Sequence, residues 1–206
     1  MKKISAYSLV CLMLIGCGGG GSTIPATTNS SSTTNSGTSS NAYDAPIIED
    51  TVKQNYLDAI NQARSKQQDC GREGIKKPVD PLTWNDALYK AAYEHSEDMA
   101  ESNTFSHDGS GTNSDWTAQI LLLTRGSTFD ERIINNGYSN FRTIGENLTV
   151  GTNGDLAQKA INAWLKSDEH CKNLMNPAYK EVGMAHVEKA GTKYTHYWSQ
   201  EFGAKR

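Results

Sequence analysis

Glu181-Val182-Gly183-Met184-Ala185-His186-Val187 and Tyr194-Thr195-His196-Tyr197-Trp198-Ser199-Gln200-Glu201-Phe202 each alternate in character, with the turn-forming Lys189-Ala190-Gly191-Thr192-Lys193 between them. Alternation at period two marks strands with distinct faces, so these residues predict an antiparallel hairpin. Residues 142–149 have similar character and predict a third strand. Upstream the period changes. Residues 85–102 put Leu88, Ala92, His95 and Met99 on one helical face, and residues 51–66 do the same with Val52, Tyr56, Ile60 and Ala63. Asp50 or Thr51 suits the cap of that earlier helix. Thr128-Phe129-Asp130-Glu131 is a capping box opening a short helix that Gly137 stops. Residues 155–166 align Leu156, Ala160, Ala163 and Trp164, and Ser167 then caps a further turn through 168–174, ended by Asn176-Pro177. The sum is an α+β plan, three or four helices around a small antiparallel sheet. The apolar stretch 120–123, inside a Gly/Ser/Asn-rich loop over 109–127, fits no element.

Composition divides the 206 residues into an address and a domain. Lys2 and Lys3 precede a short apolar run ending in Leu14-Ile15-Gly16-Cys17, the layout of a secretory signal. A small residue before a cysteine is what lipoprotein processing requires, so residues 1–16 read as a lipoprotein signal peptide and Cys17 as the lipidated residue. Lipid on Cys17 would supply more than one acyl chain, enough for stable anchoring to a membrane. Residues 18–42 hold no charge, and 21 of the 25 are Gly, Ser, Thr or Asn. Residues 17–46 therefore read as a tether without the apolar side chains that would repay ordering. Residues 47–206 remain as one domain. This places the protein outside the cytoplasm, and Gly18 after the cysteine points to the outer membrane if the organism has two. The apolar run is too short to span a bilayer. The net charge of −3 excludes a general nucleic-acid binder.

Cys11 leaves with the signal, so Cys70 and Cys171 can form one intramolecular pair, the favoured reading in an oxidising compartment. Two separate buried thiols, or a nucleophilic Cys171 beside His170, are the alternatives.

Metalloprotease, serine-hydrolase, phosphate-loop and dinucleotide patterns are absent from the sequence. Polar groups collect instead in Phe105-Ser106-His107-Asp108-Gly109, in Gly145-Glu146-Asn147-Leu148 and in Ser167-Asp168-Glu169-His170-Cys171-Lys172-Asn173-Leu174. Two imidazoles and two carboxylates brought together could ligate zinc or another divalent cation with a position open, or poise a proton-transfer site. Spacing does not show that they converge. His95 shares a face with apolar residues and reads as a hydrogen-bonded core histidine. His186 and His196 read as sheet-face side chains, and Asp108 as a turn residue with Gly109.

These segments, with Leu82-x-Trp84-Asn85, Trp164 ahead of His170, and Tyr197-Trp198-x-Gln200-x-Phe202-Gly203, resemble the CAP superfamily of cysteine-rich secretory, antigen 5 and pathogenesis-related proteins, whose unit is the SCP domain. The likeness spans residues 52–203 and is strongest to the bacterial extracytoplasmic branch. It implies an α-β-α sandwich and a cavity of two histidines and two acids, in which His107, Glu146 and His170 match three members. The fourth is open: bacterial relatives commonly read Ser-Pro-Gly-His where this chain has Ser167-Asp168-Glu169-His170. Glu169 is the local candidate, although a carboxylate in the first turn of a helix also serves the helix dipole.

The resemblance implies a binding or interaction module for a lipid or for a protein or other component of the envelope, with His107 and His170 as candidate metal ligands. A metal-assisted hydrolase using Glu146 as base, and a purely structural envelope protein, are the alternatives.

Overall fold

The structure is a computed structural model that describes residues 43–151 and 157–206. The signal peptide, Cys17, the tether as far as residue 42, and Asp155 and Leu156 lie outside the described residues. In order, the elements are α1 (Asp50–Arg64), β1 (Gln68–Asp69), β2 (Ile75–Lys76), β3 (Thr83–Trp84), α2 (Asp86–Ser102), α3 (Trp116–Ile120), α4 (Phe129–Asn135), β4 (Phe141–Gly151), α5 (Ala157–Leu165), α6 (Asp168–Leu174), β5 (Glu181–Glu188) and β6 (His196–Lys205).

The hairpin forms as the alternation requires: β5 pairs antiparallel with β6, Val182 opposite Phe202 and His186 opposite Trp198. Strand β4 pairs antiparallel along the other edge of β6, with Glu146 opposite Glu201. The two-residue β3 joins β5 in parallel, giving the order β3-β5-β6-β4, and β1 and β2 form a separate small pair. The α+β class holds. The parallel edge pair and the additional short helices are elements too brief to carry a readable period.

Alternation along β6 sorts its side chains between two helical layers. Trp198 and Phe202 pack with Ile60 of α1 and Ile161 and Trp164 of α5. Tyr197 packs with Met99 and Ala100 of α2, and Ser96 on α2 donates to Ser199 at 2.9 Å. Helix α2 can lie this close because β5 has Gly183 there; a Cβ at that position would run into the backbone of Leu88 and Tyr89.

Asn85 caps α2, accepting from the Ala87 and Leu88 amides. The capping box at Thr128 and Glu131 forms, and Gly137 follows α4 at φ 96°. The cap position of α1 is Glu49 rather than Asp50 or Thr51, because the Glu49 carbonyl accepts the first amide bonds, from Val52 and Lys53. Ser167 holds the cap position of α6 without a side-chain cap bond. Residues 43–46, placed in the tether by composition, lie against α2: Tyr89 donates to the Pro46 carbonyl at 3.0 Å and Lys90 pairs with Asp44 at 2.7 Å.

Cys70 and Cys171 form the disulfide, with Cα atoms 5.3 Å apart. Both are buried, and the nucleophilic-thiol alternative is thereby removed.

Candidate functional site

The site begins on β4. Gly145 is required because a Cβ there would collide with the Tyr179 hydroxyl, whose ring stacks on Phe202 at 4.8 Å. That hydroxyl donates to Asn173 Oδ1 at 2.7 Å, and Asn173 Nδ2 donates to the Glu146 carbonyl and to Asn147 Oδ1, both at 3.0 Å. Asn147 Nδ2 donates to the His170 carbonyl at 3.2 Å. The Gly-Glu-Asn triplet thus ties β4 to α6, the helix that carries His170.

Glu146 points to the α2 side. Its Oε1 meets His107 Nδ1 at 2.6 Å, and its Oε2 accepts from Arg132 Nη2 at 2.8 Å. The same guanidinium donates to the carbonyls of His107, at 2.9 Å, and Ser127, at 2.8 Å. His95, wholly buried, sets the preceding turn through Nε2 against the Ser106 carbonyl at 2.9 Å. Arg132 therefore fixes both the carboxylate and the loop bearing the imidazole. Sequence reading passed over Arg132, since a basic residue in a short helix ordinarily signals solvent. Its one local cue is the capping box, which sets the register of α4.

His107, Glu146, Glu169 and His170 line one open cavity of about 340 Å³, together with Asn147, Lys172, Asn173 and Asn176. The structure brings the three motif residues together. Glu169 sits at the rim, its side chain 67% exposed and 3.7 Å from Lys172 in the first turn of α6. Asp168 turns away to Arg72, at 2.8 Å. His186 and His196 meet each other across the hairpin at 3.0 Å, with His186 stacked on Trp198, and line other cavities. A larger groove of about 980 Å³ between α1 and α5 contains none of the motif residues.

The carboxylates of the site divide into unlike states. Burial would raise the Glu146 carboxyl, but the Arg132 charge and the His107 hydrogen bond overcome it and hold it well below the usual carboxylate range. Glu201, opposite on β6, is pushed far up by burial and by the Glu146 charge, so it keeps its proton. The Glu146 bond raises His107, whereas burial, with His107 nearby, lowers His170. Burial and the Arg132 charge push His95 down to about 3, so it stays neutral.

These contacts set what a cation could use. Both Glu146 oxygens are engaged by His107 and Arg132, and among the described residues no three His, Cys, Asp or Glu side chains cluster as a metal cage. The donors that remain toward the cavity are Nε2 of His107 and the His170 imidazole. A cation there would have these two imidazoles as its protein ligands and water for the rest, with Glu146 orienting the His107 ring from behind.

Residues 57–202 match the cysteine-rich secretory protein (CAP) family. Among curated proteins, the chain is 30% identical over 185 residues to the uncharacterized protein YkwD of Bacillus subtilis (strain 168), covering 89% of this chain and 56% of that one. It is 29% identical over 155 residues to the uncharacterized membrane protein YlbC of the same organism, covering 75% and 35%. The chain thus spans about half, or less, of the length of these relatives. An outer surface protein of Borrelia burgdorferi shares the fold at a TM-score of 0.55, with 20% identity over 79% of this chain and 99% of that one. An extracellular protein containing a SCP domain, from Bacillus anthracis str. Ames, gives a TM-score of 0.50 and 25% identity, covering 78% and 45%.

Proposed function

Since the chain belongs to the cysteine-rich secretory protein (CAP) family, we propose that it is an extracytoplasmic binding module, held to the membrane by lipid on Cys17, whose His107/His170 cavity takes a divalent metal. The observation that carries the cavity reading is the engagement of Glu146. A general base works best with a pKa near the working pH; Glu146 is held well below that range, and both its oxygens already take part in hydrogen bonds, with His107 and Arg132. This favours binding over the metal-assisted hydrolase, and among the described residues no hydroxyl or thiol nucleophile lines the cavity to replace it. The extracellular SCP-domain relative of B. anthracis supports the location, and the signal and lipobox pattern supports the anchor, in the outer membrane where the organism has two. A lipid or an envelope component remains the class of ligand that suits such a module.

A metal bound here would supply a positive centre to a ligand carboxylate or phosphate; the chain supplies the two imidazoles and the buried pair that orients one of them. The imidazoles must be neutral to ligate. His107, raised by Glu146, competes with a proton more than His170 does. Zinc should therefore raise the melting temperature at neutral pH, by preferential binding to the folded state, and much less near pH 5. His107→Ala and His170→Ala should each lose most of the shift, Glu146→Gln part of it, and His95→Ala none. Equal shifts in all five proteins would remove the metal site. Zinc analysis of protein purified without chelator or histidine tag is the companion measurement.

A further inference from the structure

The stretch that fits no sequence period is apolar and turned outward. Ile120 is 49% exposed, Leu121 46% and Leu122 87%, at the end of α3. Leu122 also adopts φ 53°, a left-handed conformation that a bulky L side chain rarely takes. The fold gains no burial from Leu122 in return for that strain, a combination that points to a use outside the fold. The helix displaying it is firmly held: Glu94 accepts from the Thr117 amide at 2.5 Å, and Asp115 caps α3 through the Ala118 amide at 3.2 Å.

The route of the chain names the occupant. Tyr43, where the described residues begin, packs its ring 6.3 Å from that of Trp116, the first residue of α3. Leu122 lies two residues beyond the end of that helix. The 25 residues 18–42 separate Cys17 from this point, a contour of at most about 90 Å. A lipid on Cys17 and the α3 tip can therefore meet the same bilayer. The net charge of −3 offers no general attraction to anionic lipid, which leaves apolar insertion to make the contact.

We propose that Ile120, Leu121 and Leu122 insert into the lipid leaflet that holds the Cys17 anchor, fixing one orientation of the domain on the membrane. The proposal rests on the lipid-anchor reading. The full-length lipidated protein is placed on vesicles of phosphatidylethanolamine and phosphatidylglycerol, with or without brominated acyl chains. Leu122→Trp should be quenched by the brominated lipid at least twofold more than Ile75→Trp, a control on β2 that is also exposed. With a protease site inserted in the tether, the cleaved domain should partition onto the same vesicles, and Leu122→Asp should lower that partition at least tenfold, as loss of one buried leucine implies. The mass of the purified protein separates the two readings. A mass without lipid overturns both. A lipidated protein in which the Leu122→Trp and Ile75→Trp variants quench alike overturns insertion alone, as does a concentration-dependent dimer abolished by Leu122→Asp, which would assign the tip to a second copy.

Discussion

Glu146 and Glu201 are the same residue type, paired across β4 and β6 and both buried, yet only Glu146 is ionised. The difference is Arg132, which donates to Glu146 at 2.8 Å. Replacing Glu146 leaves a buried guanidinium without its counter-charge, so Glu146→Gln should cost about 3–5 kcal/mol. Glu201→Gln replaces a neutral acid with a neutral amide able to donate to Glu146 and should cost no more than about 1 kcal/mol. Urea midpoints at pH 7 test the contrast, and equal costs would reverse the assignment. The pH dependences differ in sign. Glu146, with its folded pKa depressed, contributes stability above its unfolded pKa of about 4.3 that is lost as pH falls through the folded value. Glu201, with its folded pKa raised, makes the folded state hold a proton that the unfolded state releases, so stability declines as pH rises from about 4.3 towards the folded value. Glu201→Gln should flatten that decline, and Glu146→Gln the acid-side loss. Little of this pairing was legible in the sequence. His95 could be placed as a core residue by its helical spacing, but nothing local marks Arg132 or Glu201 as partners, because their meeting is set by strand register.

At the scale of elements, periodic segments were readable and brief ones were not. The hairpin, β4 and the long α2 all follow from the spacing of their residues, although Asn85, read as the first helical residue, is the cap of α2. The strands β1, β2 and β3 have two residues each, too few for any pattern. The motif glycines were visible as letters, but their reason lies in distant neighbours. Gly183 illustrates this: it is the point where β5 meets the α2 backbone. Gly183→Ala must push apart two backbones rather than a flexible side chain, so it should destabilise by about 3 kcal/mol or more, at the upper end of overpacking penalties. Neither His107 nor His170 lies on α2, so the same variant, like His95→Ala, should keep its zinc-induced thermal shift while melting at a lower temperature. Gly137→Ala, at a helix end with no atom near its missing Cβ, should act only through its φ of 96° and cost about 1–2 kcal/mol. Thermal melts of the two variants with and without zinc distinguish lost packing at the site from general instability.

Across the whole domain, the disulfide is the link between stability and site. The cysteines are 101 residues apart, so the bond closes a long loop, and its loss should cost roughly 2–5 kcal/mol. Its place matters as much as its strength. Cys171 follows His170 on α6, and Cys70 precedes the 3-10 turn Gly71–Glu73 that packs beside that helix. The other polar ties between turn and helix are two ion pairs, Arg72 with Asp168 at 2.8 Å and Lys172 with Glu73 at 2.7 Å, and the Arg72 amide, which donates to Asp168 at 3.2 Å; exposed pairs of this kind contribute about 0–1 kcal/mol each. On the opposite side α6 is held by Asn147 and Asn173 of the site itself. Helix α6 is also held through the buried Leu174, whose carbonyl accepts from Arg64 at 2.6 Å, so reduction releases one of several supports of His170 and leaves His107, clamped by Glu146 and Arg132, in place. The Cys70→Ala/Cys171→Ala protein should melt at lower temperature and also show a smaller zinc-induced shift than the oxidised wild type, while Asn147→Ala added to it should reduce the shift further. If the double cysteine variant melts lower but keeps the full zinc shift, the remaining contacts of α6 position it without the disulfide, which then serves stability only.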